Sequence, residues 1–230
     1  MDRLDIVQAF VQNRRARTYL EIGVKKGKLF LQVRARRKLA VDPVLKIPLR
    51  RKLKAILQFP PNMSNEYYEM TSDAFFMTRG GHLRRIGGPD VVFIDGLHTY
   101  AQTWTDVSNA LDYLTPNGVV LMHDCSPASA AQATPAESRG RAQETNAVPR
   151  AQGWSGDVWK TIVRLRSERT DLCVRVVDCD HGVGVISRGR PESRLDISAE
   201  EIARMDYSRL ETDRQRLLNL KPAADLGSLL

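Results

Sequence analysis

Thr18-Tyr19-Leu20-Glu21-Ile22-Gly23-Val24-Lys25-Lys26-Gly27 is the stretch that decides the fold. It is a short apolar run that breaks on a glycine, so it reads as a buried strand followed by a sharp turn. Glycine lets the backbone turn tightly and approach a ligand closely. The next segment, Leu29 to Val33, suits a short helix whose N-terminus would face that ligand. Within the turn, Glu21 suits a positively charged ammonium better than a pyrophosphate, and the dinucleotide pattern GxGxxG is absent. Taken alone, Gly23-x-x-x-Gly27 says only that something binds after the first strand.

Outward from this strand the pattern alternates. Leu4, Val7, Phe10 and Val11 recur at helical spacing before it. After it come strands at Lys38–Asp42 and Glu66–Met70, separated by a basic, proline-bearing loop (44–64) with a short helix. A helix over Asp73–Arg79 follows. Asp90–Asp95 and Val119–Asp124 are continuous apolar runs, as buried parallel strands should be. Val107, Ala110, Leu111 and Leu114 mark the face of a helix between them. A helix to about Glu168 precedes Cys173–Val177 and Gly182–Ser187, which suit a closing antiparallel hairpin. Alternating strands and helices predict an α/β fold: a Rossmann-like, doubly wound, mostly parallel seven-stranded sheet with helices on both faces. The expected division is a main domain over 1–190 and a helical extension over 191–230. Residues 126–153, poor in large apolar side chains, read as a lid-like insertion. The leucines of the tail would cover the core or meet a second subunit, and a homodimer is the expected assembly.

Composition narrows the setting. No stretch approaches the roughly 20 apolar residues that span a bilayer, so no membrane partner is expected. Cys125, Cys173 and Cys179 are too few for a disulfide framework and lack the pairing of a zinc site, which makes a reducing cytoplasm the expected location. The net charge of +8 is concentrated in the first 54 residues. That excess fits either a solvated basic face or a nucleic-acid surface, without the interleaved aromatics of a single-strand platform.

Ligand residues then fall at the carboxyl ends of successive strands, where open α/β sheets bind ligands. Asp42 lies 19 residues after Gly23, where an acid accepts from both hydroxyls of a ribose; Asp-Pro is also a common turn. Ser72-Asp73 offers an acceptor for an adenine amino group, or a helix cap. Asp95, His123 and Asp124 would converge on one edge. Two carboxylates and an imidazole can hold a divalent cation, Mg²⁺ through the oxygens or a softer metal with the imidazole's help. Asp95 would otherwise bond cofactor or backbone, and His123 would otherwise be a packing histidine. His98, three residues past Asp95, is either a general base or a loop histidine. Trp154 and Trp159 fit a pocket border or helix-entry packing, and Tyr100 fits packing or substrate contact. His82 and His181 have no assigned role.

The string Phe93-Ile94-Asp95-Gly96-Leu97-His98-Thr99-Tyr100, with Asp106, Leu114–Gly118 and His123-Asp124, resembles class I methyltransferases of the family 24 group. With Glu21–Gly27 and Val41-Asp42-Pro43 the resemblance runs from about residue 18 to 125, and Gly156–Lys160 extends it. It is also similar to the macrocin and mycinamicin sugar O-methyltransferases, whose metal is held by acids after the fourth and fifth strands. Asp95, His98 and Asp124 match their pattern, whereas His123 stands where an acid is usual.

The resemblance implies S-adenosylmethionine (SAM) at Glu21, Gly23, Gly27, Asp42, Ser72, Asp73 and Asp95. It implies a divalent metal, Mg²⁺ first, at Asp95, His123 and Asp124. The chemistry implied is methyl transfer to a hydroxyl of a sugar or small oligosaccharide, with His98 and Asp95 in the catalytic roles. Rival readings are a nucleic-acid methyltransferase, an enzyme for a non-sugar natural-product hydroxyl, and a non-catalytic SAM-binding scaffold. The first of these lacks the Asp/Asn-Pro-Pro-aromatic element after the fourth strand, where Asp95-Gly96-Leu97-His98 stands.

Overall fold

The strand that carries the glycine turn, β1 (Thr18–Ile22), is buried along its whole length. The computed structural model describes residues 1–137, 139–144 and 153–230. In chain order the other strands are β2 (Arg37–Val41), β3 (Glu66–Tyr68), β4 (Val91–Ile94), β5 (Val119–Met122), β6 (Leu172–Asp178), β7 (Val183–Arg188) and β8 (Leu220–Pro222). Their order in the sheet is β3-β2-β1-β4-β5-β7-β6-β8. This is the α/β, mostly parallel arrangement expected, with an eighth strand added. The contacts divide the chain into two compact units, one of Met1–Gly96, Asp106–Leu121 and Leu230, the other of Leu97–Thr105 and Met122–Leu229.

In the first unit, register is what positions the candidate site. β1 pairs parallel with β2 so that Ile22 faces Val41, and with β4 so that Ile22 faces Ile94. The next residue on each strand, Gly23, Asp42 and Asp95, therefore emerges in one row at the carboxyl edge. Three bonds carry the ladder one step further: Gly23 N–H to Val41 O, Asp42 N–H to Tyr68 O and Asp95 N–H to Ile22 O. Helix α1 (Arg3–Asn13) starts in a capping box, the Asp2 carboxylate accepting from Leu4 and Asp5 amides while Asp5 accepts from Asp2. Ile6, Val7, Phe10 and Val11 bury its inner face. Helix α2 (Leu49–Gln58) and a 3₁₀ turn (Pro60–Ser64) occupy the basic loop.

Two expectations fail here for visible reasons. The helix over Leu29–Val33 is not formed; the stretch is a series of turns. Lys25 (φ 45) and Gly27 (φ 63), just before it, are left-handed, so no helix can begin ahead of Lys28. The buried Lys38 ammonium then donates to the Phe30 and Val33 carbonyls at 2.6 and 2.9 Å, tying the turns down. Conversely, α3 (Ser72–Arg85) runs past the expected end at Arg79, through Gly80 and Gly81. A Cβ at Gly80 would lie 2.2 Å from the Tyr113 hydroxyl, so this glycine is a packing notch and not a stop.

The second unit holds the β6–β7 hairpin, antiparallel with Val174 facing Ile186. Its turn has two central residues of positive φ, Asp180 (45) and His181 (64), the form that matches strand twist. Helix α4 (Tyr100–Tyr113) begins in this unit, which also contains α5 (Arg139–Glu144), α6 (Trp159–Glu168), α7 (Ala199–Arg204), α8 (Tyr207–Leu218) and α9 (Leu226–Leu229). The tail is built in. Leu210, Leu217 and Leu218 are fully buried. Arg166 of α6 donates to the Leu217 carbonyl at 2.9 Å and to Ser193 Oγ at 2.7 Å. β8 pairs parallel with β6, with Val176 facing Leu220. These leucines thus cover this unit's own core and are not available to a second subunit. Part of the lid-like insertion, residues 138 and 145–152, lies outside the described residues. Among the described residues no helix is long and apolar enough to cross a membrane.

Candidate active site

The cofactor residues all lie in the first unit. Gly23 has φ +91, and a Cβ there would sit 2.0 Å from the Asp95 carbonyl oxygen. The glycine is required by the close approach of β1 and β4. Gly27 (φ +63) closes the turn, its N–H donating to Val24 O at 2.8 Å. Asp42 is buried and braces the same turn: one carboxylate oxygen accepts from the Lys25 amide at 2.7 Å, the other from the Val44 amide at 2.8 Å. Each oxygen keeps capacity for a second donor, as a ribose diol would require. The cap of α3 is Thr71, which accepts from the Ala74 amide. Ser72 is therefore the first helical residue, buried, with Asp73 exposed beside it in the first turn. Asp95 accepts from Arg3 Nη1 at 2.9 Å, a partner 92 residues away that the sequence reading missed.

Glu21 lies on β1, just before the glycine turn. Its carboxyl is buried and accepts from the Tyr19 hydroxyl at 2.6 Å. Burial pushes it up to about 8, with Tyr19 opposing, Asp95 adding and Lys38 opposing. Burial also pushes Lys38 down to about 7, against the pull of Glu21. An acid whose folded pKa exceeds its unfolded one favours folding at low pH and loses that advantage as pH rises through the folded value. Lys38 acts in the opposite sense, but only above its own folded value near 7. The window from about pH 5, just above an unfolded glutamate, to about 7 therefore separates Glu21 from Lys38. Across it the urea midpoint of the wild-type protein is expected to fall relative to that of Glu21→Gln, the difference being the contribution of Glu21. Parallel midpoints would mean that Glu21 is already ionised there beside a charged Lys38.

The second unit carries the proton-transfer groups. His98 Nδ1 lies 2.7 Å from the Trp154 carbonyl oxygen and 3.3 Å from Asp124 Oδ2. A carbonyl only accepts, so Nδ1 carries the hydrogen and the lone pair of the neutral ring sits on Nε2. The ring also stacks on Trp154, with centroids 5.4 Å apart. Segment 154–157 grips the histidine's loop in two further places. A Cβ at Gly156 would meet the His98 carbonyl at 1.9 Å, and Asp157 Oδ1 accepts from the Tyr100 amide at 2.7 Å. Trp154 is in turn fixed by Nε1–H donating to Thr134 O at 2.8 Å.

Asp124 adopts the left-handed conformation (φ 62), which Asp tolerates better than most residues. Its Oδ1 accepts from Ser155 Oγ at 2.7 Å, and its Oδ2 lies 3.1 Å from His123 Nδ1. His123 is buried, with Nε2 3.7 Å from Asp180 Oδ1. Sequence reasoning missed Asp180 and Ser155; the one local signal was the Asp-His-Gly turn of the hairpin, which carries Asp180 to His123. His82 does have an acidic partner, Glu66 Oε2 at 2.8 Å. Glu66, with Arg17, Arg36 and Arg37, lines a cavity of about 630 Å³. These residues stand at the amino starts of β1–β3, about 16 Å along the strands from Gly23 and Asp42. The cavity is therefore separate from the cofactor row.

Residues 20–125 match the profile of a family described as a methyltransferase domain. No curated protein sequence matches the chain. Solved structures of similar fold include three methyltransferases. The SAH-bound methyltransferase PaMTH1 of Podospora anserina aligns with a TM-score of 0.53 at 16% identity, over 81% of this chain and 77% of that one. The O-methyltransferase TomG of Streptomyces achromogenes, involved in tomaymycin synthesis and solved with SAM, gives 0.53 at 13% identity, over 80% and 78%. An O-methyltransferase of Bacillus cereus, in complex with SAH, gives 0.50 at 14% identity, over 81% and 80%. At these identities the likeness is one of fold. The domain match spans less than half of the chain, and it falls on the part that carries Glu21, Asp42 and Asp95.

Proposed function

We propose that the protein is an O-methyltransferase that moves the methyl group of SAM to a hydroxyl of a sugar, small oligosaccharide or glycoside. The observation that carries the oxygen acceptor is the state of His98. With Nδ1–H held by the Trp154 carbonyl and Asp124, Nε2 is the basic atom of an oriented imidazole, as abstraction of a hydroxyl proton requires. Asp124 would offset the charge of the imidazolium that forms. SAM supplies an electrophilic methyl group when bound. Asp42 would hold the ribose hydroxyls, Gly23 and Gly27 would shape the turn, and Ser72 and Asp73 would face the adenine. Glu21, from its burial, would brace this turn from beneath and not touch the ligand. Residues 1–190 would form the catalytic domain, with 191–230 as its extension.

Asp95, His123 and Asp124 would hold a divalent cation, Mg²⁺ first. His123 Nδ1 and Asp124 Oδ2, 3.1 Å apart, have the separation of neighbouring ligands on one ion with bonds of about 2.1 Å. A metal bound there would orient the acceptor hydroxyl and acidify its proton. Dialysis against EDTA is expected to lower methyl transfer to a panel of saccharides at least about tenfold, with Mg²⁺ or Mn²⁺ restoring it. Full transfer in excess EDTA would remove the metal and leave the His98 mechanism standing. Transfer to phenolic acceptors alone would replace the sugar by another natural-product hydroxyl.

A further inference from the structure

Helix α2 presents its apolar side to solvent. Leu49 is 70% exposed, Leu53 54% and Leu57 85%. Spaced four residues apart, they form one row over about 80° of the helix. Arg50 and Lys54, both exposed, run along the edge of that row. The other two basic side chains turn back onto the protein: Lys52 Nζ lies 3.9 Å over the Tyr67 ring, and Arg51 Nη1 donates to Lys26 O. The packed side of the helix is led by its one buried residue, Ala55. Val44 (50%) and Met63 (78%), from the segments flanking α2, are also exposed large apolar residues. A short helix with leucines outward and cations beside them is the reverse of an ordinary surface helix, whose apolar stripe faces the core.

We propose that this face of α2 docks on an anionic membrane surface, the helix lying in the plane of the interface. The leucine row would enter the boundary between headgroups and acyl chains, while Arg50 and Lys54 pair with lipid phosphates. Charge selects this occupant. In an antiparallel two-fold contact with a second copy, the basic edge of one helix lies on the same side of the seam as that of the other, so like charges adjoin. A nucleic acid would satisfy the cations and leave the leucine row in water. The lack of a spanning segment does not weigh against this, since an interfacial helix needs none. This inference is independent of the catalytic reading.

Vesicle sedimentation tests it with the whole chain. Phosphatidylglycerol-containing vesicles are expected to retain at least roughly tenfold more protein than pure phosphatidylcholine vesicles, and high salt should abolish the difference. Leu53→Asp/Leu57→Asp should lose retention with an unchanged circular-dichroism melting curve, since both side chains are exposed. Arg50→Glu/Lys54→Glu should lose the preference for the anionic lipid. Equal binding to both vesicle types, or a leucine variant that binds as wild type does, would overturn the proposal. So would absence of vesicle binding together with a wild-type dimer that the leucine variant breaks, which would assign the face to a second copy.

Discussion

His98→Gln is expected to lower turnover by about 10²–10⁴ and to leave SAH affinity unchanged. Glutamine can still donate to the Trp154 carbonyl, so the loop should keep its place. What disappears is the basic Nε2 that the Nδ1–H···O bond creates. Asp124→Asn supplies the companion measurement. Asparagine also accepts the left-handed backbone at this position (φ 62), so the fold is spared while the charge facing both imidazoles is removed. Its turnover should fall as well, because the carboxylate that faces His98 and would help to hold the cation has lost its charge. Turnover of His98→Gln within a few-fold of wild type would exclude His98 as the base.

The same residues show where sequence reading reaches and where it stops. Asp42 and Asp95 were legible because each follows an apolar run, and parallel register carries such positions to one edge. Their partners were not. Arg3 reaches Asp95, Trp154 reaches His98 and Asp180 reaches His123 across long stretches of chain, and no periodicity encodes those meetings. Local rules also misled. Leu29–Val33 has helical composition, yet the buried Lys38 takes the Phe30 and Val33 carbonyls and ties the stretch into turns. Leu220–Pro222 is too short, and ends in a residue too poor at pairing, to announce a strand; β6 recruits it as an edge. The exposed leucines of α2 were hidden for a related reason. Composition reports a basic loop with a helix in it, whereas the direction of its apolar side is set by what the rest of the unit leaves uncovered.

Gly23→Ala is expected to cost about 3 kcal/mol or more of stability and, with it, SAM binding. Three contributions act together. The position has φ +91, where a side chain is strained. The new Cβ would lie 2.0 Å from the Asp95 oxygen and 2.4 Å from its carbon, and these are backbone atoms that cannot swing aside. Relief must come from parting β1 and β4, which gives up the Asp95 N–H to Ile22 O bond and shifts the row that includes Asp42. Gly27→Ala provides the contrast. It is also left-handed (φ +63), but its nearest neighbours are the side-chain carbons of Ile47 at 3.0 Å and beyond, which can rotate away. Its expected cost is about 1 kcal/mol, the conformational strain alone. Urea unfolding of the two variants, with SAH titration of whichever stays folded, separates the cases. Equal and small losses would mean that β1 and β4 tolerate a wider gap than their register implies, and that Gly23 serves the ligand rather than the sheet. A large loss at Gly23 alone would make the first glycine of the turn a condition for the sheet's carboxyl edge, and the second a condition only for the turn's shape.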